Sequence, residues 1–381
     1  MRIILLSLIL IYSSASYAKD TLDITKIDRN MTVKKVDLSG IKWYSPKAEP
    51  FRLLGFKWIA QDGLYRRLPL KSTVTIPAKV NLLANHSAGG QIHFKSNSKR
   101  LMIRVKLSQG RPMYHMTQVA KCGFDLYTGS GLNKVFETSA KFDYNATEYV
   151  ASLYYNKSRE MMEYTLNFPL YNGVESVEIG LDDKAQVSEA SALSSKQTVV
   201  IYGTSITHGG CASRPGMAYP NILSRKLDCE VINLGFSGSG KGEPEIAHLM
   251  TAIPNKSLVI LDFECNTHEQ LRVLLKPFIQ TFRSKEAQTP LLILSRIALA
   301  RDKNPDAFKK RLSLRAFQQD LVNEFKLAGD ENIYFIDGGT LLDPRWASEA
   351  TVDGTHPTDL GFLMMAESLE PTIRKIIGLK K

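Results

Sequence analysis

Hydrophobic and polar positions follow one rule in the first half of the chain and another in the second. Up to about residue 190 apolar and polar residues alternate over short runs, as in Gln91-Ile-His-Phe-Lys95, Leu101-Met-Ile-Arg-Val-Lys-Leu107 and Glu175-Ser-Val-Glu-Ile-Gly-Leu181. A period of two buries one face of an extended strand. Turn clusters, Ser87-Ala-Gly-Gly90 and Tyr171-Asn-Gly173, separate the runs. The pattern predicts an all-β domain over 19–190, an antiparallel sandwich or jelly roll. Residues 182–197 are polar and rich in Ser and Ala, and read as a linker.

From residue 198 short apolar runs alternate with segments of helical periodicity. Strands are predicted at 198–202, 229–234, 258–262, 290–295 and 333–336. Helices are predicted at 217–227, 243–252, 268–285, 306–327 and 359–377. This alternation over 197–381 specifies an α/β domain: a five-stranded parallel sheet with helices on both faces. Ligands of such sheets bind beyond the carboxyl ends of the strands, so the loops there are where chemistry is expected.

The first of these loops carries a serine, in Val199-Val-Ile-Tyr-Gly-Thr-Ser-Ile-Thr207. Near the end of the chain, Asp353-Gly-Thr-His356 puts a carboxylate and an imidazole three residues apart on a polar loop. A serine hydroxyl is a weak nucleophile until an imidazole takes its proton, and the imidazole needs a carboxylate to fix its tautomer. Pro357 holds His356 in extended backbone. The surroundings of Ser205 are not the G-x-S-x-G elbow of α/β-hydrolases. Read alone, each motif is also an ordinary turn.

Two further loops complete the pattern. The strand at 229–234 is followed by Gly235-Phe-Ser-Gly-Ser-Gly-Lys-Gly-Glu-Pro244, and the strand at 258–262 by Phe263-Glu-Cys-Asn266. The glycine run matches a phosphate-cradling G-x-x-x-x-G-K loop, but Gly242 stands where a metal-binding Ser or Thr is required. Ser205, Gly238, Asn266 and Asp353/His356 follow the order of the four blocks of the SGNH/GDSL hydrolases, and residues 197–378 resemble that superfamily, which implies a flavodoxin-like fold. The resemblance implies Ser205 as nucleophile, His356 as base and Asp353 as its orienter. It also implies an oxyanion hole made by the N–H groups of Ser205 and Gly238 and the amide of Asn266. The first block reads G-T-S rather than G-D-S, and the third reads E-C-N-T where many members have G-x-N-D.

The β domain resembles the N-terminal domain of a two-domain, carbohydrate-esterase-like bacterial branch of the superfamily. Asn85-His-Ser-Ala-Gly-Gly90, Met113-Tyr-His-Met-Thr117 and Gly123-Phe-Asp-Leu-Tyr127 carry that likeness, with Gly210-Cys-Ala-Ser-Arg-Pro-Gly-Met-Ala-Tyr219 in the second domain. Such a domain is expected to pack against the cleft and help select substrate. His115, Arg214 and Arg296 are candidates to contact substrate, each with a purely structural alternative: a satisfied core histidine for the first, salt bridges for the arginines.

Residues 1–18 read as a signal peptide: basic Arg2, an apolar run from Ile3 to Tyr12 and the small-residue site Ser16-Tyr17-Ala18. No lipobox cysteine follows, and no other stretch looks transmembrane. The expected location is the periplasm or the exterior. Of the formal charge of +11, Arg2 leaves with the signal. No dense basic tract or nucleic-acid motif is present, and an exported chain does not meet nucleotide, so neither is an expected partner. Cys122, Cys211, Cys229 and Cys265 either pair in the oxidising compartment, with Cys211–Cys265 on adjacent loops as one option, or stay buried thiols. No His/Cys/Asp cluster has metal-ligand spacing, so no metal or other cofactor is expected. The chain reads as an exported serine esterase acting on O-acyl groups, in first place O-acetyl, of carbohydrate. A lipase or lysophospholipase of the same fold, or a non-catalytic carbohydrate-binding surface protein, are the alternatives.

Overall fold

Among the described residues of the computed structural model, ten short strands precede the parallel sheet: β1 (Ile41–Tyr44), β2 (Arg52–Leu54), β3 (Gln91–Ser96), β4 (Arg100–Leu107), β5 (Asp125–Thr128), β6 (Val135–Ser139), β7 (Glu148–Tyr155), β8 (Met162–Asn167), β9 (Val174–Asp182) and β10 (Val187–Ser188). The structure describes residues 24–28, 31–108 and 113–380. The expected signal peptide, 1–18, lies outside them. The described residues up to Lys35 form a unit of their own, with one helical turn at Ile24–Ile27. The described residues from Val36 onward form a single compact unit.

Two antiparallel sheets, ordered β1-β9-β4-β7 and β10-β3-β8-β5-β6 with β2 beside β3, enclose one core. The inward residues of the alternating runs meet there: Ile92, Phe94, Ile103, Val105, Ile179 and Leu181 are buried in the same cluster as Leu126 and Leu166. This is the sandwich that the period of two requires. The segment 182–197 is more ordered than a linker. Val187 and Ser188 pair with Ser96 and Lys95, adding β10 to an open sheet edge whose backbone groups need partners.

The remaining strands are β11 (Thr198–Gly203), β12 (Glu230–Gly235), β13 (Lys256–Asp262), β14 (Leu291–Leu294) and β15 (Ile333–Ile336). All pairs among them are parallel, in the order β12-β11-β13-β14-β15. That is the flavodoxin-like order. Strands buried on both faces read as continuous apolar runs. Val199 and Ile201 of β11 face helices Tyr219–Leu227 and Asp359–Ile376, while Val200 and Tyr202 face helices Pro244–Thr251 and Leu271–Arg283. Each fully buried aliphatic side chain stabilises the packing by about 1.5–3 kcal/mol.

These two cores do not belong to the parallel sheet alone. Leu68, Val80 and Ala84 lie buried in the cluster with Val200, Tyr202 and Phe236. Ala88, Met116, Ala120 and Leu170 lie buried with Ile206 and Ala212 on the other side. Gly89, at φ +85°, lets the chain touch β12, because a Cβ there would fall 2.6 Å from Cβ of Asn233. Among the described residues no helix is long and apolar enough to cross a membrane.

Candidate active site

β11 is the strand at which the sheet order reverses, and the crevice beyond its carboxyl end is where such folds place their chemistry. Ser205 begins the short helix Ser205–His208 there, with Thr204 as its cap accepting from the Ile206 N–H. Beneath it Thr207 Oγ1 and Tyr219 Oη each donate to Asp262 Oδ2 at 2.9 Å. Burial pushes the Asp262 carboxyl up to about 7, against the pull of these two donors.

Asp353 and His356 share a tight turn. Val352 N–H donates to the His356 carbonyl at 2.8 Å, and a bridge between Thr351 and Pro357 closes the turn. Asp353 Oδ1 accepts from the N–H groups of Thr355 and His356 at 3.0 and 2.8 Å, which leaves Oδ2 for His356 Nδ1 at 2.8 Å. Burial alone would raise the Asp353 carboxyl, but these donors outweigh it and hold it down to about 2. His356 Nε2 lies 2.8 Å from Ser205 Oγ. Side chains 151 positions apart thus form one hydrogen-bonded relay.

Gly238 has φ +65°, and a Cβ would meet nothing within 4 Å. The residue type answers to backbone conformation, not to space. Among the described residues the N–H groups of Ser205 and Gly238 donate to no protein acceptor. Asn266 Nδ2 reaches Gly240 O at 3.1 Å and Phe236 O at 3.4 Å, which pins the third loop to the second. Glu264, which opens the third block, is buried and accepts from Arg296 N–H and Gln318 Nε2, both at 2.8 Å. Burial raises its carboxyl in spite of them.

The other candidates part ways. His115 stands at the relay: its ring meets that of His356 edge to face at 5.3 Å, and Nε2 is 3.8 Å from Asp353 Oδ2. Exposed Tyr114 stacks on it at 4.3 Å. Arg214 is taken up by the sandwich instead: Nη1 donates to Asp125 Oδ2 at 2.8 Å and Tyr127 Oη at 2.6 Å. Arg296 is buried and bonded to Asp302 at 2.6 and 2.9 Å, so its guanidinium holds the loop beyond β14. In both cases the structural alternative describes the geometry.

Several neighbours escaped the sequence reading. Tyr171 Oη donates to the Ser205 carbonyl at 3.3 Å and its ring stacks on buried His208 at 4.1 Å. Buried Arg67 donates to the carbonyls of Gly235 at 2.6 Å and His86 at 2.8 Å. Among the described residues no carboxylate pairs with it; burial lowers its guanidinium to about 9, which still leaves it charged at neutral pH. No motif marks these residues, because their partners are backbone carbonyls and rings. All four cysteines are free thiols, so the Cys211–Cys265 option is not realised. Burial, then the charge of Asp353, pushes the Cys211 thiol up to about 12. The fold also gathers what spacing could not show: one donor atom each from His115, Cys211 and His356, all within 4.8 Å of one another.

A flavodoxin-like sheet with a serine–imidazole–carboxylate relay at its switch point defines an SGNH-type hydrolase architecture. Residues 196–374 match the GDSL-like Lipase/Acylhydrolase family, and residues 41–187 match the N-terminus of SGNH-hydrolase-type esterases. A Bacteroides ovatus protein assigned as a GDSL-like lipase superposes with a TM-score of 0.82 at 30% identity, over 89% of this chain and 99% of its own. The chain belongs to the GDSL-like lipase/acylhydrolase family and is an esterase-type hydrolase. The salicylyl-acyltransferase of a tetracycline biosynthetic pathway shares the fold at 19% identity, TM-score 0.71, over 90% of this chain and 99% of that one. So does a family two carbohydrate esterase of Clostridium thermocellum solved with cellohexaose, at 14% identity, TM-score 0.54, over 77% and 94%. No curated protein matches the chain.

Proposed function

We propose that the protein is an exported serine esterase that removes O-acetyl groups from carbohydrate. The observation that carries the catalytic part is the relay from Ser205 Oγ through both nitrogens of His356 to Asp353, each step 2.8 Å. Ser205 attacks the ester carbonyl while His356 Nε2 accepts its proton. Asp353, ionised down to about pH 2, holds the imidazole in the tautomer that leaves Nε2 free and stabilises the imidazolium. The oxyanion meets the unengaged N–H groups of Ser205 and Gly238. Asn266 supplies the third donor by turning the amide hydrogen of its longer contact, to Phe236 O, toward substrate. His356 then protonates the departing sugar hydroxyl, and water repeats the sequence on the acyl-enzyme.

Support for carbohydrate comes from the sandwich wall beside the relay. Tyr114 presents an exposed ring next to His115, a surface on which a pyranose can stack. The carbohydrate esterases among the structural relatives agree with this reading. Export rests on the reading of residues 1–18 as a signal peptide.

The test compares p-nitrophenyl acetate, longer acyl esters and acetylated polysaccharide, with Ser205→Ala beside the wild type. Acetyl esters should turn over fastest, and Ser205→Ala should lose at least about 10³-fold in kcat. A preference for long acyl chains would instead make the protein a lipase, and full activity of Ser205→Ala would remove the relay from the mechanism.

A further inference from the structure

Cys211 occupies a position that ester hydrolysis leaves unused. It is buried six residues after Ser205, at φ +77°, a backbone conformation that a non-glycine residue rarely adopts. Its Sγ, a ring nitrogen of His115 and a ring nitrogen of His356 lie within 4.8 Å of one another. The three come from separate places: the segment before the helix Gln118–Cys122, the loop after the serine helix, and the turn that carries Asp353. Among the described residues His115 Nδ1 is buried with no hydrogen-bond partner. Asp353 Oδ2, 3.8 Å from His115 Nε2, adds negative charge at the edge of the cluster.

Two imidazoles and a thiolate are donors for a borderline-soft ion such as Zn²⁺, and poor ones for Mg²⁺ or Ca²⁺. In tetrahedral zinc geometry such donors stand about 3.3–3.6 Å apart, so closure from the present spacing takes about 1 Å of side-chain rotation. On binding, the thiol proton passes to water and the thiolate takes the metal.

Both nitrogens of His356 are already engaged, Nε2 with Ser205 and Nδ1 with Asp353. An ion at Nε2 removes the base from the serine; an ion at Nδ1 removes the carboxylate from the base. Either way the relay is cut. We propose that His115, Cys211 and His356 form an inhibitory site for zinc, so that metal occupancy and ester hydrolysis exclude each other. Binding follows from the donor geometry alone; inhibition rests on the esterase reading above.

Cobalt(II) tests the binding without any substrate. Titrating wild-type protein and Ser205→Ala with Co²⁺ should give, at one ion per chain, the near-ultraviolet thiolate-to-cobalt band, which Zn²⁺ abolishes. The band should be absent from Cys211→Ser. In the second arm, Zn²⁺ should inhibit p-nitrophenyl acetate hydrolysis reversibly, with EDTA restoring it and Mg²⁺ or Ca²⁺ without effect. Cys211→Ser and His115→Gln should each raise the zinc needed for half-inhibition by more than about tenfold, since losing a direct ligand costs at least as much as losing a group that orients one. A folded wild type without the band, or a band that persists in Cys211→Ser, overturns the site. A band without zinc inhibition of an active enzyme, or unchanged half-inhibition in both variants, overturns its inhibitory role. If no ester is turned over at all, the cobalt arm still decides the site while the esterase reading fails on its own.

Discussion

Beneath Ser205 lies a carboxylate that takes no part in the relay. Asp262 is buried and titrates near pH 7, whereas in the unfolded chain it would do so near 3.8. Between those values the folded protein holds a proton that the unfolded chain has released. Its contribution to stability is therefore full below about pH 4, falls as pH rises and is gone above about pH 7. Asp353 behaves oppositely, but its window lies between about 2 and 3.8 and does not overlap. Asp262→Asn should keep the acceptor for Thr207 and Tyr219 and flatten the change in stability between pH 4.5 and 7.5, measured by urea unfolding. The same decline in wild type and variant would show that Asp262 does not titrate in this range. Residues of this kind are invisible in sequence. That Ser205, Asp353 and His356 meet was legible through the block order that the chain shares with the SGNH/GDSL hydrolases, and the structure brings the three within hydrogen-bond distance. Arg214 and Arg296 were ambiguous because an arginine after a strand looks the same whether it meets substrate or Asp125.

At the level of elements, the strands of the parallel sheet fall within two residues of their expected bounds, since continuous apolar runs between turn residues leave little choice. The helix Glu264–Thr267 and the strand β10 were missed: both are short, and both exist because of partners distant in sequence, Arg296 for the first and β3 for the second. The contact between β5 and the loop after Ser205 is also long-range. Asp125, fully buried, accepts from Arg214, from the Gly216 N–H at 2.8 Å and from Asn167 Nδ2 at 2.7 Å. Asp125→Asn preserves shape but leaves the half-buried guanidinium without its counter-charge. Removing one member of such a pair should cost about 3 kcal/mol. A chemical-unfolding midpoint within error of the wild type would mean that water, not Asp125, balances Arg214.

Taken as a whole molecule, the sandwich supplies parts that the parallel sheet lacks. Leu68, Val80 and Ala84 cover Val200 and Tyr202, and Arg67 is threaded into the carbonyls at the end of β12. A chain beginning at residue 191 should therefore be insoluble or lack fixed near-ultraviolet dichroism, whatever its secondary structure content. A soluble, cooperatively unfolding truncation would show that these contacts are dispensable.

That shared core has a consequence for how such chains vary. A half that folds alone can be moved to a new companion, but a half whose hydrophobic face is finished by its neighbour loses that cover when it is moved. Substitutions in the two halves are therefore expected to be coupled where residues 67–89 meet β11 and β12. A chimera that takes residues 36–190 from a distant relative should fold only when the side chains of β11 and β12 facing residues 67–89 are exchanged with them, which soluble expression of the two versions would reveal.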